Sequence, residues 1–148
     1  MPHLTLTTSP GAGPILDVLI GVSEPLRKIM KTQGAAVPKP VSIRVLLDTG
    51  ASGTCVDLAT LSALGLVPTG TALIHTVSTT GTPVPAALYD VSLALVHPGQ
   101  QFVRWFDAVP VMGASLAAQG IQGLVGRDIL AQCLLVYDGQ AGTFTLAF

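Results

Sequence analysis

The amino-acid sequence predicts a mostly β fold with a closed or partly closed sheet and one or two short helices. Short runs of apolar and β-branched residues recur along the chain and are separated by glycine- and proline-containing turns, as in small β-barrels. Helix signals are few and brief. At 148 residues, with no internal repeat and no linker, the chain is expected to form a single domain, residues 1–148.

The first half of the chain predicts three strands and one helix. The strands are expected at residues 4–8, 15–22 and 42–47, where apolar residues alternate with polar ones or form a continuous run. The helix is expected at residues 57–64, because Asp57 is a suitable N-cap and Gly65 is a suitable stop.

The second half predicts further strands and a C-terminal hairpin. Strands are expected at residues 73–78, 86–96 and 101–112, each bounded by turn residues. Residues 126–130 indicate a strand that turns into a brief helix. The last two strands, residues 134–137 and 143–148, are expected to pair as a hairpin.

Residues 23–41 do not fit the strand pattern. This stretch contains three prolines and four of the seven basic residues of the chain: Arg27, Lys28, Lys31 and Lys39. The simpler interpretation is a solvated loop inserted between strands, since a charge run is usually a hydrated surface. The alternative is an arm that contacts a substrate or a partner.

The composition excludes several classes of function. The chain is 49% hydrophobic and 10% charged, with a mean hydropathy of +0.64. A net charge of −1 gives no indication of nucleic acid or an anionic membrane as partner. No apolar run is long enough to span a bilayer, and the N-terminus lacks the pattern of a signal peptide, so we expect a cytoplasmic protein. Such an apolar chain is expected to cover part of its surface at a subunit interface.

The cysteines and histidines do not indicate a metal site. Cys55 and Cys133 lack the spacing of metal ligands, and we expect reduced, half-buried thiols rather than a disulfide. The three histidines are scattered along the chain, which argues against zinc. We therefore expect no metal and no cofactor.

The most informative segment is residues 46–52, in which the apolar strand Leu46-Leu47 runs into Asp48-Thr49-Gly50-Ala51-Ser52. A carboxylate at the end of a buried strand is costly to desolvate, so its presence points to catalysis. Two carboxyl groups that share one proton can hydrolyse a peptide bond without metal, because one activates water and the other protonates the carbonyl oxygen. The chain has only one such segment.

The remaining acidic residues are weak candidates for the second carboxyl group. None is followed by the same glycine turn, and each has a simpler interpretation as a strand, cap, turn, loop or helix-start residue: Asp17, Glu24, Asp57, Asp90, Asp107, Asp128 and Asp138. The second acid is therefore expected to be Asp48 of another copy. A symmetric dimer places the same residue of each subunit on its two-fold axis.

Four features follow one another along the chain: a strand-like start at 2–6, the segment containing Asp48-Thr49-Gly50, a second segment at 124–130 (Leu-Val-Gly-Arg-Asp-Ile-Leu) and a strand-like end at 143–148. In this combination the chain resembles the retropepsin-like (retroviral-type) aspartic peptidases. The resemblance implies a closed, barrel-like retropepsin fold, a homodimer and a peptide or protein substrate. The C-terminal hairpin is closer to cellular relatives, so we expect a non-viral, bacterial member.

The resemblance implies roles for the residues of the first segment. Asp48 is the expected catalytic acid and base, with Thr49 bonded to its twin across the dimer and Gly50 forming the tight turn. Ala51 and Ser52 are expected to line the cleft and meet the substrate backbone. Since Ala51 has no hydroxyl to stabilise a charged carboxylate, we expect activity to extend towards weakly acidic or neutral pH.

The second segment and a hairpin are expected to complete the site. Leu124, Val125 and Gly126 would pack behind the catalytic turn, and Arg127 would brace the dimer interface. A flap is expected within residues 76–86, and its tip residues Thr79, Thr80 and Gly81 would contact the substrate. Pro83 and Pro85 predict a stiffer flap than a glycine-rich one.

The expected function is therefore that of an aspartic endopeptidase that cleaves extended, largely apolar peptide segments. Two alternatives remain. One is a catalytically silent dimeric module that keeps the fold for protein binding. The other is a monomeric precursor that dimerises only when fused to, or released from, a larger protein.

Overall fold

The structure, a computed structural model, describes residues 1–8, 10–75, 81–99 and 101–148. These residues form ten β-strands and three short α-helices. The strands are β1 (His3–Thr7), β2 (Ile15–Val22), β3 (Val41–Leu47), β4 (Cys55–Asp57), β5 (Gly70–Ile74), β6 (Val84–Val96), β7 (Val103–Ala114), β8 (Gly123–Val125), β9 (Leu134–Asp138) and β10 (Thr143–Ala147). The helices are α1 (Glu24–Thr32), α2 (Leu58–Ala63) and α3 (Arg127–Leu130), with a 3-10 turn at Ala117–Gln119.

Six strands close into a barrel in the order β2-β3-β8-β4-β7-β6, because β6 pairs back onto β2. The pairs β3–β8 and β4–β7 are parallel, whereas the other pairs in this sheet are antiparallel. β5 extends the sheet as a hairpin with β6. The predicted mostly β fold with a closed sheet is thus confirmed.

The chain ends form a second, three-stranded antiparallel sheet in the order β1-β10-β9. β9 and β10 are the predicted C-terminal hairpin, and β1 pairs with β10 along its whole length. Alternate residues of these strands face inwards, and Leu4, Phe144 and Leu146 are fully buried. Burial of each such side chain contributes about 1.5–3 kcal/mol to stability.

The barrel interior is filled by alternate residues of its long strands. β2 contributes Val18 and Ile20, β3 contributes Val45, and β6 contributes Leu93 and Leu95, all almost completely buried. On β3, and on β2 as far as Ile20, the buried residues alternate with more exposed ones, as the period of two of a strand requires, whereas β6 is buried continuously from Val91 to Leu95. β3 is part of the barrel wall, and the turn that begins at Asp48 follows the end of this strand.

The expected loop at residues 23–41 is wrong in its first half, which forms helix α1. The side chain of Ser23 caps the helix by accepting from the N–H of Leu26, and Pro25 stands in the first turn, where it costs no hydrogen bond. Glu24 pairs with Arg27 one turn later, and Gly34 ends the helix at φ +70°. Pro25 thus stands at the start of this helix and does not break it.

Other local predictions hold. α2 begins after the N-cap Asp57, and Gly65 follows it with a left-handed φ of +68°. Cys55 and Cys133 are both free and half-buried, as expected. Within the described ranges, no helix is long and apolar enough to cross a membrane.

Candidate active site

Asp48 lies directly after β3, at the point where the barrel wall ends. Its N–H donates to the carbonyl of Val125 at 2.9 Å, and the N–H of Leu47 donates to the carbonyl of Pro14 at 2.9 Å. The backbone is therefore held on both sides just before the chain turns. This position follows from the sequence, because the apolar strand runs to Leu47 and the polar turn begins at once.

The turn is closed by bonds to Asp48 itself. Its Oδ1 accepts from the N–H of Gly50 at 2.8 Å, and its carbonyl accepts from the N–H of Ala51 at 3.2 Å. A Cβ at Gly50 would lie 3.1 Å from Oδ1, so a side chain there would crowd the carboxylate. Asp48 is half-buried, whereas Thr49 and Gly50 are exposed. The turn therefore orients Oδ1 of Asp48 towards the backbone N–H of Gly50.

The two segments identified in the sequence lie side by side. β8 runs parallel to β3, and the register places Leu46 beside Leu124 and Leu47 beside Val125. Leu47 and Val125 are both buried. β8 thus lies against the strand that leads into Asp48, while the expected role of Leu124 and Val125 in supporting a catalytic turn stays a prediction.

Gly126 makes the closest contact behind the turn. It is buried, and a Cβ on it would lie 2.5 Å from the carbonyl oxygen of Gly53. No side chain fits at this distance, so the backbones of the two glycines touch directly. The residue type at position 126 is therefore set by a contact with the loop that follows Asp48.

Arg127 binds the same loop from the second segment. Its guanidinium Nη1 donates to the carbonyl of Thr49 at 2.8 Å, and its backbone N–H donates to the carbonyl of Ala51 at 3.0 Å. The side chain is exposed. Within one chain Arg127 therefore holds the turn in place, while its expected contact across a dimer interface stays a prediction.

Thr54 and Asp128 join the two segments, and the sequence did not reveal this pair. Thr54 is buried; its N–H donates to Oδ2 of Asp128 at 3.0 Å and its hydroxyl donates to Oδ1 at 2.8 Å. The same hydroxyl accepts from the N–H of Gly126 at 3.2 Å. Asp128 also lies in the first turn of α3, as predicted. The sequence signal that could have revealed this pair is Thr54 itself, a polar residue directly before Cys55 and Val56.

Cys55 lies next to this network but is poorly suited to nucleophilic chemistry. Burial raises the pKa of its thiol, and the negative charges of Asp128 and Asp48 raise it further. A thiolate nucleophile requires a lowered pKa and cationic neighbours. The chemistry available here is therefore that of the Asp48 carboxylate.

The other carboxylates are engaged or lie elsewhere. All eight acidic residues of the chain fall within the described ranges, and among them only Asp48 lies in the turn after β3. Asp57 caps α2 through Ala59 and accepts from the N–H of Leu116 at 2.8 Å. The latter bond is the main cause that lowers the pKa of Asp57. One chain therefore provides a single carboxylate at this turn.

The expected flap corresponds to the β5–β6 hairpin. The register pairs Ile74 with Val84, so the connection spans residues 75–83. Gly81 is exposed and has a left-handed φ of +84°. Thr79 and Thr80 lie outside the described residues. Ser52, expected in the cleft, is exposed directly after the catalytic turn.

Comparisons with known proteins agree with this geometry. The family model described as aspartyl protease matches residues 34–129, a range that includes residues 46–52 and all but the last residue of the segment 124–130. No curated protein sequence gives a significant match.

Solved structures show the shared fold. A retropepsin-like aspartic protease from Rickettsia conorii superposes with a TM-score of 0.61 at 13% identity, covering 99% of this chain and 91% of that chain. EIAV protease, solved in complex with the inhibitor HBY-793, superposes with a TM-score of 0.50 at 20% identity, covering 86% and 93%. The predicted retropepsin-like fold is confirmed, and a bacterial protein is among those that share it.

Proposed function

This chain belongs to the aspartyl protease family, and from that premise we propose that it is an endopeptidase that works as a homodimer, with Asp48 of each copy forming the catalytic pair. The observation that carries the proposal is the Asp48 turn itself. The turn is held by hydrogen bonds within residues 46–52 and by a bond to the second segment, 124–130. One chain supplies a single carboxylate there. Hydrolysis of a peptide bond by this chemistry requires two.

In the proposed dimer the two Asp48 carboxyl groups share one proton, because like charges at such short range do not both ionise. The ionised group takes a proton from water, whose oxygen attacks the peptide carbonyl carbon. The protonated group donates to the carbonyl oxygen. When the carbon–nitrogen bond breaks, the leaving nitrogen takes a proton from one carboxyl group. A hydroxyl of the tetrahedral intermediate gives its proton to the other carboxylate, so the pair again holds one proton.

The residues around Asp48 position it for this chemistry. The Gly50 N–H orients Oδ1, and Arg127 holds the carbonyl of Thr49 on the opposite side of the turn. The Thr54–Asp128 pair fixes the loop that follows. Such a framework limits movement of the carboxylate, and errors of about 1 Å in placement cost roughly 100-fold in rate.

Exposed apolar residues of the terminal sheet support a dimer. β9 is an edge strand, and its residues Leu134, Val136 and Tyr137 are each at least half exposed. An unpaired apolar edge is a surface that another strand readily covers. We expect a second copy of the chain to cover this edge, because the proposed mechanism requires a second Asp48.

The β5–β6 hairpin supports an apolar peptide as substrate. Leu73 and Val84 flank its connection and are exposed. We assign substrate binding to Ala51 and Ser52, and to Thr79, Thr80 and Gly81 of the expected flap. Register partners share a face, so Val84 lies beside Ile74 and Leu73 lies beside Pro85, and each face of the hairpin offers an apolar contact to an extended peptide.

Cleavage of a peptide library tests the activity. Wild-type protein is compared with Asp48→Asn, and with Asp17→Asn as a control that removes an exposed carboxylate from β2. Cleavage by the wild type and Asp17→Asn but not by Asp48→Asn is expected, with dimers of all three in sedimentation. Dimers without cleavage by any variant between about pH 3 and about pH 8 would favour the binding module.

A mixing experiment tests the shared site. Wild-type protein is mixed with about a ninefold excess of Asp48→Asn and allowed to exchange subunits. Random pairing leaves about one-tenth of the wild-type activity, because only dimers with two intact Asp48 residues cleave. Activity that does not fall on mixing would mean that a single chain is sufficient.

A further inference from the structure

A groove lies at the end of the barrel opposite to the end that carries Asp48. It has a volume of about 690 Å³ and is bounded by α1, by residues 37–40 and by β7. Pro40 directly precedes β3 and Asp48 directly follows it, so the rise of an extended strand separates the two sites by roughly 25 Å. A volume of this size is typical of ligand-binding clefts.

The groove collects most of the positive charge of the chain. Lys28, Lys31 and Lys39 line it, together with Arg27. The guanidinium of Arg27 is already paired with Glu24, in the only salt bridge found among the described residues. The three lysines face one further carboxylate, that of Asp107. Four of the seven basic residues thus meet in one place, on a chain whose net charge is −1.

The floor of the groove is apolar and aromatic. Trp105, on β7, is 44% exposed and is the only tryptophan of the chain. Val37, Pro38 and Pro40 form the facing wall. Exposed tryptophan beside lysine is typical of recognition surfaces, because the indole offers a large rigid contact and the cations give charge complementarity. Nothing in the proposed catalytic mechanism uses these residues.

We propose that this groove binds an acidic peptide segment that also carries an apolar side chain, with the lysines holding its carboxylates and Trp105 its apolar group. The carboxylates of Glu24 and Asp107 stand on the same surface and disfavour the continuous phosphate charge of a nucleic acid. A single aromatic residue also offers only one stacking platform. A peptide with spaced carboxylates fits this mixed surface better. The site is independent of the catalytic proposal.

The intrinsic fluorescence of Trp105 reports on this groove alone. A short peptide of alternating glutamate and leucine is titrated into wild-type protein and into Asp48→Asn, which excludes any effect of cleavage. A saturable change in emission that weakens with added salt is expected for both proteins. The same peptide with glutamine in place of glutamate is expected to bind at least about tenfold more weakly.

Matched charge variants locate the binding. Lys39→Gln is expected to weaken binding about two- to fivefold, and the triple variant Lys28→Gln, Lys31→Gln, Lys39→Gln more than about tenfold. Arg44→Gln, which removes one exposed charge on β3 outside the groove, is expected to have no effect. Equal loss in Arg44→Gln and Lys39→Gln, or equal binding of both peptides, would overturn the proposal. An oligothymidine that binds more tightly than the acidic peptide would also overturn it, in favour of nucleic acid.

Discussion

Thr54 and Asp128 are joined by two hydrogen bonds, from the N–H and the hydroxyl of Thr54 to the two carboxylate oxygens of Asp128, at 3.0 and 2.8 Å. The residues are 74 positions apart in sequence. Thr54 follows the turn that contains Asp48, and Asp128 lies at the start of α3. The pair therefore joins the loop after residues 46–52 to the second segment, 124–130. The loop that carries Asp48 thus depends on a residue that is not itself part of the catalytic motif.

Replacement of Thr54 by valine is expected to destabilise the fold by about 2 kcal/mol. The change keeps the shape but leaves the Gly126 N–H without its hydroxyl acceptor and Asp128 without one donor. Urea unfolding measures the difference. Thr69→Val, at an exposed threonine with one long bond to Leu88, is the matched control and should change stability by less than about 0.5 kcal/mol. Equal effects of the two changes would contradict a special role for Thr54.

Gly126→Ala is expected to unfold the site or the whole domain. The new Cβ would stand 2.5 Å from a backbone oxygen of Gly53, which cannot move aside as a flexible side chain can. We expect a loss of at least about 3 kcal/mol and of cleavage activity. Gly70→Ala is the control, since a Cβ there meets nothing within 4 Å. A well-folded, active Gly126→Ala protein would show that the contact is not as tight as described.

Arg127→Gln is expected to lower activity more than stability. Its guanidinium is exposed but holds the carbonyl of Thr49, one residue from the catalytic acid. We expect kcat to fall about tenfold or more, with a change in unfolding free energy below about 1 kcal/mol. Arg44→Gln serves as the control for loss of an exposed arginine. If Arg127→Gln lowers only the stability, the residue does not position the turn.

Asp57 is expected to make stability depend on pH. Hydrogen bonding from the N–H of Leu116 holds its pKa below the ordinary value, so its contribution is present above the unfolded pKa of about 3.9 and is lost as the pH falls through the folded pKa. Asp57→Ala should therefore cost about 2 kcal/mol at neutral pH, with a deficit that shrinks in acid.

Urea titrations at neutral pH and at about pH 3 measure this dependence. Asp57→Asn keeps an acceptor for the helix cap but not the charge, so its deficit should be smaller than that of Asp57→Ala in both conditions and should shrink by a similar amount in acid. A deficit of Asp57→Ala that stays constant with pH would mean that the charge of Asp57 does not contribute.

Local patterns in the sequence were sufficient for much of this structure. On β3 the alternation of apolar and polar residues that buries Ile43 and Val45 is visible in the printed chain, because this strand buries one face. The helix at Asp57 followed from its cap. The segment 23–41 was misread because its prolines resemble loop residues, although Ser23 and Pro25 also form a helix start.

By itself the sequence determined the fold class and the position of Asp48, the proposed catalytic acid, since both depend on residue order within short segments. Only the tertiary structure decided which residues meet. The parallel pairing of β8 with β3, the Gly53–Gly126 contact and the Thr54–Asp128 bonds all join residues more than 70 positions apart. Such contacts depend on how the barrel closes, because closure is a property of the whole sheet that no single strand encodes. The position of Asp48 was thus evident from the sequence and the second segment was expected behind it, whereas the individual contacts that join the two segments were not.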